Sequence, residues 1–178
     1  IQVVDSNLPG VSTSCFSGVT LAVPTSLEDP SGTASCVYPP SGLNAVAGLV
    51  QHDVLQALET HQIAWGIVTN KVERFTFPLI RALELESRCQ ATVGGDTTPF
   101  SKPHPAPVLK AAELCQLSPS SCLYVGDDLR DIEAGHAAGM KTVAATYGYC
   151  GCDTLPDQWG ADFIINHPLE LIPLIFSA

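Results

Sequence analysis

The sequence predicts an α/β fold: a parallel sheet covered by helices on both faces. Two observations predict it. From residue 53 onward, short apolar runs alternate with amphipathic stretches of helical length, which is the pattern of βαβ units. The runs are continuously apolar, as in Ile63-Ala64-Trp65-Gly66-Ile67-Val68, and strands buried on both faces read that way. Crossovers in such a sheet are right-handed.

The elements follow in order. Asp53 is placed to cap a helix whose apolar positions Val54, Leu55 and Leu58 share one face. Ile63 to Val68 is a strand. Phe77 to Leu85 reads as a helix, with Pro78 tolerable only in its first turn. Ala91-Thr92-Val93 is a short strand. Pro105 to Leu117 is an amphipathic helix with Val108, Leu109, Ala112 and Leu114 among its apolar positions. Ser121 to Val125 is a strand, Asp128 to Ala138 a helix and Lys141 to Ala145 a strand. Phe163-Ile164-Ile165 is a further strand, and Pro168 to Ile175 a last helix. Gly135 and Gly139 suggest close helix–sheet packing and a turn.

The first 52 residues are unlike the rest. All eight Lys and Arg follow them, and their only charges are Asp5, Glu28 and Asp29. Ser, Thr, Pro and Gly crowd the segment, and no helical or strand period is sustained. Two readings fit: a loop-rich or disordered region, or an aberrant stretch. The expected organisation is therefore an atypical segment over 1–52 and a folded core over 53–178.

Composition excludes some functions. The net charge is −10, and no Lys/Arg run could neutralise a nucleic-acid backbone. No stretch of about 18 apolar residues indicates a membrane span. The start, Ile1-Gln2-Val3-Val4-Asp5, lacks the basic and apolar regions of a signal peptide. It also lacks an initiator Met, which suggests a fragment or a processed chain. Seven irregularly spaced cysteines argue for reduced thiols and a cytoplasmic setting. Cys150-Gly151-Cys152 has the wrong spacing for a zinc knuckle.

In parallel α/β sheets, ligands sit outside the carboxyl ends of the strands. Three such ends carry chemistry here. At Val68-Thr69-Asn70-Lys71, the Thr69 hydroxyl and the backbone amides of Thr69 and Asn70 suit a phosphate oxygen, although both are also ordinary turn residues. At Ser101-Lys102-Pro103-His104-Pro105, two prolines hold Lys102 near a helix start, where its ammonium can neutralise a phosphoryl group and a nearby carboxylate; a solvated surface lysine is the alternative. At Val125-Gly126-Asp127-Asp128-Leu129-Arg130-Asp131, a buried strand runs into three carboxylates. Such a cluster repels itself unless a cation is present, and magnesium commonly takes one or two carboxylates plus phosphate and water. Asp127 and Asp131 can converge on one ion. Asp128 and Asp131 also suit a helix N-terminus.

In this order, with Thr69 and Lys102 33 positions apart and Lys102 and Asp127 25 apart, the segments resemble the haloacid dehalogenase (HAD) superfamily. Thr69 matches its second motif, Lys102 its third, and Gly126-Asp127-x-x-x-Asp131 its fourth. The chain is most similar to the group of phosphoglycolate and N-acetylmuramic acid 6-phosphate phosphatases. Trp65 to Lys71, Gly126 to Gly135, Tyr147-Gly148-Tyr149, Trp159 to Asp162 and His167 to Leu171 carry that likeness, over about residues 53–175.

The resemblance implies a Rossmann-like core and a magnesium-dependent phosphatase with an aspartyl-phosphate intermediate. It implies that Asp127 binds Mg2+, Asp131 assists, Thr69 and Asn70 hold the phosphoryl group, and Lys102 neutralises charge. The substrate would be a small phosphomonoester. The departure is the first motif, Asp-x-Asp-Gly-Thr, which is absent. Asp5 is the only acid ending an apolar run before residue 53, and Asn7 cannot serve as the acid–base group. Residues 6–52 are too few and too rich in breakers for the family's cap, so a truncated or absent cap is expected. The central strand is expected to be missing too, leaving unpaired backbone and an apolar seam. The alternative function is a catalytically incomplete fragment that binds phosphate and magnesium without turnover.

Overall fold

The computed structural model describes residues 53–148 and 154–176. Asp5, the region where a cap was sought, and Cys150-Gly151-Cys152 lie outside the described residues.

Residues 53–60 form helix α1, with Val54, Leu55 and Leu58 all buried, as their spacing predicts. Asp53 is itself helical rather than a flanking cap. Strand β1 is Gly66–Val68, shorter than expected, though Ile63 and Trp65 before it are still core residues. Strand β2 (Ala91–Val93) runs parallel to it in register Gly66↔Ala91 to Val68↔Val93. Between them lies α2 (Glu73–Ala82).

That helix corrects an expectation, because Pro78 sits inside it rather than in its first turn. The imino nitrogen cannot donate to the carbonyl of Arg74. Arg74 and Pro78 are both exposed, so water can serve that carbonyl. At the start of the helix Glu73 N–H donates to Asp96 Oδ1 at 2.7 Å, and the Thr76 hydroxyl donates to the carbonyls of Lys71 (2.9 Å) and Val72 (3.1 Å).

Helix α3 (Ala106–Leu114) buries Pro107, Val108, Ala111 and Ala112. Leu109 and Leu114, expected on the apolar face, are exposed; the inner stripe takes the smaller residues. It ends where Gln116 adopts a left-handed conformation and Leu117 N–H donates to Ala112 O at 3.0 Å.

Strand β3 (Leu123–Gly126) is buried at every residue. Helix α4 (Leu129–Ala137) follows, then β4 (Lys141–Ala145), β5 (Phe163–Ile165) and α5 (Leu171–Phe176). Gly135 lies against Tyr124 and Thr142, and an added Cβ would come within 2.7 Å of Thr142 Cγ2. The helix thus touches the sheet there, as the small residue suggested. Gly139 makes the following turn with a φ of +75°.

Among the described residues the strands form two parallel sheets, β1-β2 and β3-β4-β5. No described strand joins β1 to β3. Helix α3 packs on β1 and β2, and α4 on β3 and β4. One apolar cluster nevertheless spans both sheets, including Val68 and Val93 from the first and Tyr124, Val125, Val143 and Ile165 from the second. Both sheets thus contribute to one core.

At the opposite end of β4 from the candidate site, Asp162 collects Lys141 Nζ (2.5 Å), Thr142 N–H (2.9 Å) and the Thr142 hydroxyl (3.2 Å). Burial pushes its carboxyl up, but the Lys141 ammonium and the Thr142 donors outweigh this and hold it at about 2. A depressed folded-state value contributes stability above the ordinary carboxylate range and loses it as pH falls. Asp162→Asn should therefore be less stable than the parent at neutral pH. The gap should close as pH falls from about 4 toward 2, which thermal melts across that range will measure.

Cys89, Cys115 and Cys122 are free thiols. Burial, reinforced by the neighbouring Cys122 and Cys89, pushes Cys115 up to about 12, so it is a poor nucleophile. No helix among the described residues is long and apolar enough to cross a membrane.

Candidate active site

Lys102 is the junction of the site. It lies on the connection from β2 to α3 and is only 8% exposed. A lysine that buried needs partners, and it has two. Its ammonium donates to Asp131 Oδ1 at 2.5 Å and to the carbonyl of Val68 at 3.3 Å. Val68 ends β1 and precedes Thr69. Asp131 stands on the first turn of α4, four residues after Asp127. One ammonium thus ties the carboxyl end of β1 to the helix that follows β3.

The turn after β1 is organised by side chains. Thr69 N–H donates to Val93 O at 2.9 Å, so this amide is spent on β2 and leaves the hydroxyl as the residue's contact group. That hydroxyl accepts Lys71 N–H at 3.2 Å and keeps its own proton to donate. Asn70 does something the sequence did not reveal. Its Nδ2 donates to Lys102 O, and its Oδ1 accepts Lys102 N–H, both at 3.0 Å. The amide side chain is directed at Lys102, which leaves the backbone of Asn70 as its means of meeting a phosphate.

The three acids after β3 divide their work. Asp128 caps α4: its carboxylate accepts Arg130 N–H at 2.9 Å and pairs with the Arg130 guanidinium at 2.7 Å. Those bonds to Arg130 hold its carboxyl below the usual range. Asp131 is 4% exposed, and its Oδ1 also accepts the Tyr124 hydroxyl at 3.3 Å. Asp127 is 6% exposed and faces the loop after β4. There burial, then the Asp127 charge, pushes the Tyr147 hydroxyl well above its ordinary range.

Two glycines make room for two carboxylates. A Cβ on Gly126 would collide with the side chain of Asp131. A Cβ on Gly148 would collide with that of Asp127. The Gly-Asp spelling at 126–127 was visible in the sequence. The Gly148 contact was not, since it joins residues 21 positions apart. Tyr124 was also missed; a polar residue inside an otherwise apolar strand is the signal that would have found it.

The donor chemistry fits magnesium in part. This ion takes carboxylate oxygens and completes its shell with phosphate and water. Asp127 and Asp131 offer hard oxygen donors at a buried strand end. Among the described residues no group of three or more His, Cys, Asp or Glu side chains forms a self-sufficient metal cage. An ion here would depend on phosphate oxygens, water and a further carboxylate.

Comparison with known proteins is consistent with this arrangement. Residues 46–145 match the model of the haloacid dehalogenase-like hydrolases. An N-acetylmuramic acid 6-phosphate phosphatase of Pseudomonas putida is 44% identical over 71% of this chain and 56% of its own length. A phosphoglycolate phosphatase of Escherichia coli is 42% identical over 69% of this chain and 48% of its own. The crystal structure of a predicted phosphoglycolate phosphatase from Haemophilus somnus superposes with a TM-score of 0.64 at 31% identity, covering 69% of this chain and 54% of that one. The chain spans about half the length of the curated relatives it matches. The α/β architecture, the ordered strand ends and the matched residues make the chain a member of the haloacid dehalogenase-like hydrolase family.

Proposed function

We propose that residues 53–178 are the core of a magnesium-dependent phosphatase acting on a small phosphomonoester of phosphoglycolate or sugar-phosphate type. The observation that carries this is the buried Lys102 ammonium, bonded both to the end of β1 and to Asp131. It puts a fixed positive charge where two chemically furnished strand ends come together, which is what a phosphoryl dianion requires. The names of the relatives supply the substrate class.

In this reading the Thr69 hydroxyl and the Asn70 backbone amide bind phosphoryl oxygens. Lys102 offsets their charge. Asp127 holds Mg2+, and Asp131 keeps Lys102 in place and orients water. When bound, magnesium supplies Lewis acidity toward the phosphoryl oxygens. A carboxylate would attack phosphorus and break the ester P–O bond, the alcohol leaving with a proton from water; a second water would then cleave the aspartyl phosphate to give inorganic phosphate and the free carboxylate. Asp5 is this sequence's candidate for that carboxylate. The free thiols Cys89, Cys115 and Cys122 support a reducing, cytoplasmic setting.

A second reading has its own support. The Asp-x-Asp-Gly-Thr string is absent from the sequence. That favours a chain that binds phosphate and magnesium without turning substrate over. An aryl phosphate assay with Mg2+ decides between them. The first reading expects turnover above a Lys102→Ala control, abolished in Asp5→Asn. No turnover above that control, with phosphate binding retained, leaves the second.

A further inference from the structure

Asn70 and Lys102 are 32 positions apart, yet the Asn70 side chain engages the Lys102 backbone twice. It presents one donor and one acceptor to a single residue, as a neighbouring strand would. The site needs such a clamp. Lys102 lies between β2 and α3, outside any strand or helix, and its peptide to Pro103 is without a proton to donate. A lysine side chain has four rotatable bonds and about 2 kcal/mol of rotamer entropy. Its ammonium can hold a fixed place only if its Cα is fixed first.

We propose that Asn70 is a positioning residue that acts through Lys102. Its carboxamide locks the lysine backbone against the end of β1, so that the ammonium meets both Val68 O and Asp131. The side chain does not contact the phosphate. Residue chemistry supports this assignment. Asp would oppose a carboxylate to the Lys102 carbonyl and lose the donor. Ser and Thr carry one oxygen and cannot offer the paired donor and acceptor in that geometry. The consequence for phosphate rests on the function proposed above, whereas the clamp itself rests on geometry alone.

The test uses the full chain in four forms: parent, Asn70→Ala, Lys102→Ala and the double variant. Inorganic phosphate is titrated calorimetrically in the presence of Mg2+. Asn70→Ala is expected to weaken binding about tenfold, the worth of one or two hydrogen bonds. Lys102→Ala should weaken it more, and the double variant should bind no more weakly than Lys102→Ala alone. Multiplying losses would mean that Asn70 touches phosphate itself, and would overturn the proposal. A second readout needs no ligand. With 15N-labelled lysine side chains, the Lys102 ammonium should give a protected signal, assigned by its loss in Lys102→Ala. It should broaden into solvent exchange in Asn70→Ala; an unchanged signal overturns the clamp. Should Asn70→Ala fail to fold, Asn70→Ser, which adds no charge and cannot make the paired bonds, is read in the same way. If the parent binds no phosphate, the functional reading fails, and the ammonium signal still decides the clamp.

Discussion

Lys102→Ala should cost the fold about 3–5 kcal/mol, the usual penalty for stranding one partner of a buried ion pair. The cause is Asp131. Its carboxylate is almost fully buried, and its Oδ1 accepts the Lys102 ammonium at 2.5 Å and only a longer bond from the Tyr124 hydroxyl. Removing the ammonium leaves a charge in the interior with one neutral donor at this oxygen. The main chain loses the Val68 contact as well. Urea unfolding of parent and variant measures the difference. Lys102→Met combined with Asp131→Leu should recover much of the loss, since a buried pair exchanged for apolar residues of similar size is often neutral. Equal stability of Lys102→Ala and parent would mean that the two groups do not depend on each other.

The second large effect is expected at the two glycines beside the acids. Gly126 ends a fully buried strand, so its backbone cannot retreat. In Gly126→Ala, the new methyl displaces the Asp131 side chain and breaks the Lys102 pair. Overpacking alone costs about 1–3 kcal/mol, and the broken pair adds to it. Gly148→Ala acts on the other acid. Its methyl occupies the place of the Asp127 side chain, at an exposed position outside any strand or helix. Stability should fall less there, while Mn2+ or Mg2+ affinity falls about 10–100-fold, the scale seen when a ligand's support is removed. Gly139→Ala is the control: its Cβ meets open space, so only the strain of a φ of +75° remains.

Much of the fold could be read from residue order. Ala91–Val93, Lys141–Ala145 and Phe163–Ile165 match the expected strands at both ends; Gly94 follows the first, Gly139 lies just before the second, and Asp162 and Asn166 flank the third. The start of α2 was not legible. Pro78 suggested a helix boundary, whereas the helix begins at Glu73, whose N–H is capped by Asp96 Oδ1 from 23 positions away, a contact no local pattern encodes. Leu109 and Leu114 misled for a different reason: large apolar residues lie outward where the inner stripe of α3 must be small.

At the candidate site, residue type and order drew attention to Thr69, Lys102, Asp127 and Asp131. What pattern could not supply was the wiring. The sequence offered the backbone amide of Asn70 to a phosphate and assigned its carboxamide no part, whereas in the fold that carboxamide is turned toward Lys102. Tyr124 looks like a core aromatic and reaches Asp131. Both contacts depend on how loops close, and no periodicity encodes that.

A crystal grown with Mn2+ and inorganic phosphate, read by anomalous scattering, probes the shared site most directly. Phosphate should lie within hydrogen-bonding reach of Thr69 Oγ1 and Lys102 Nζ, with the metal against Asp127. A phosphate bound elsewhere, or a metal that ignores Asp127, would contradict the account.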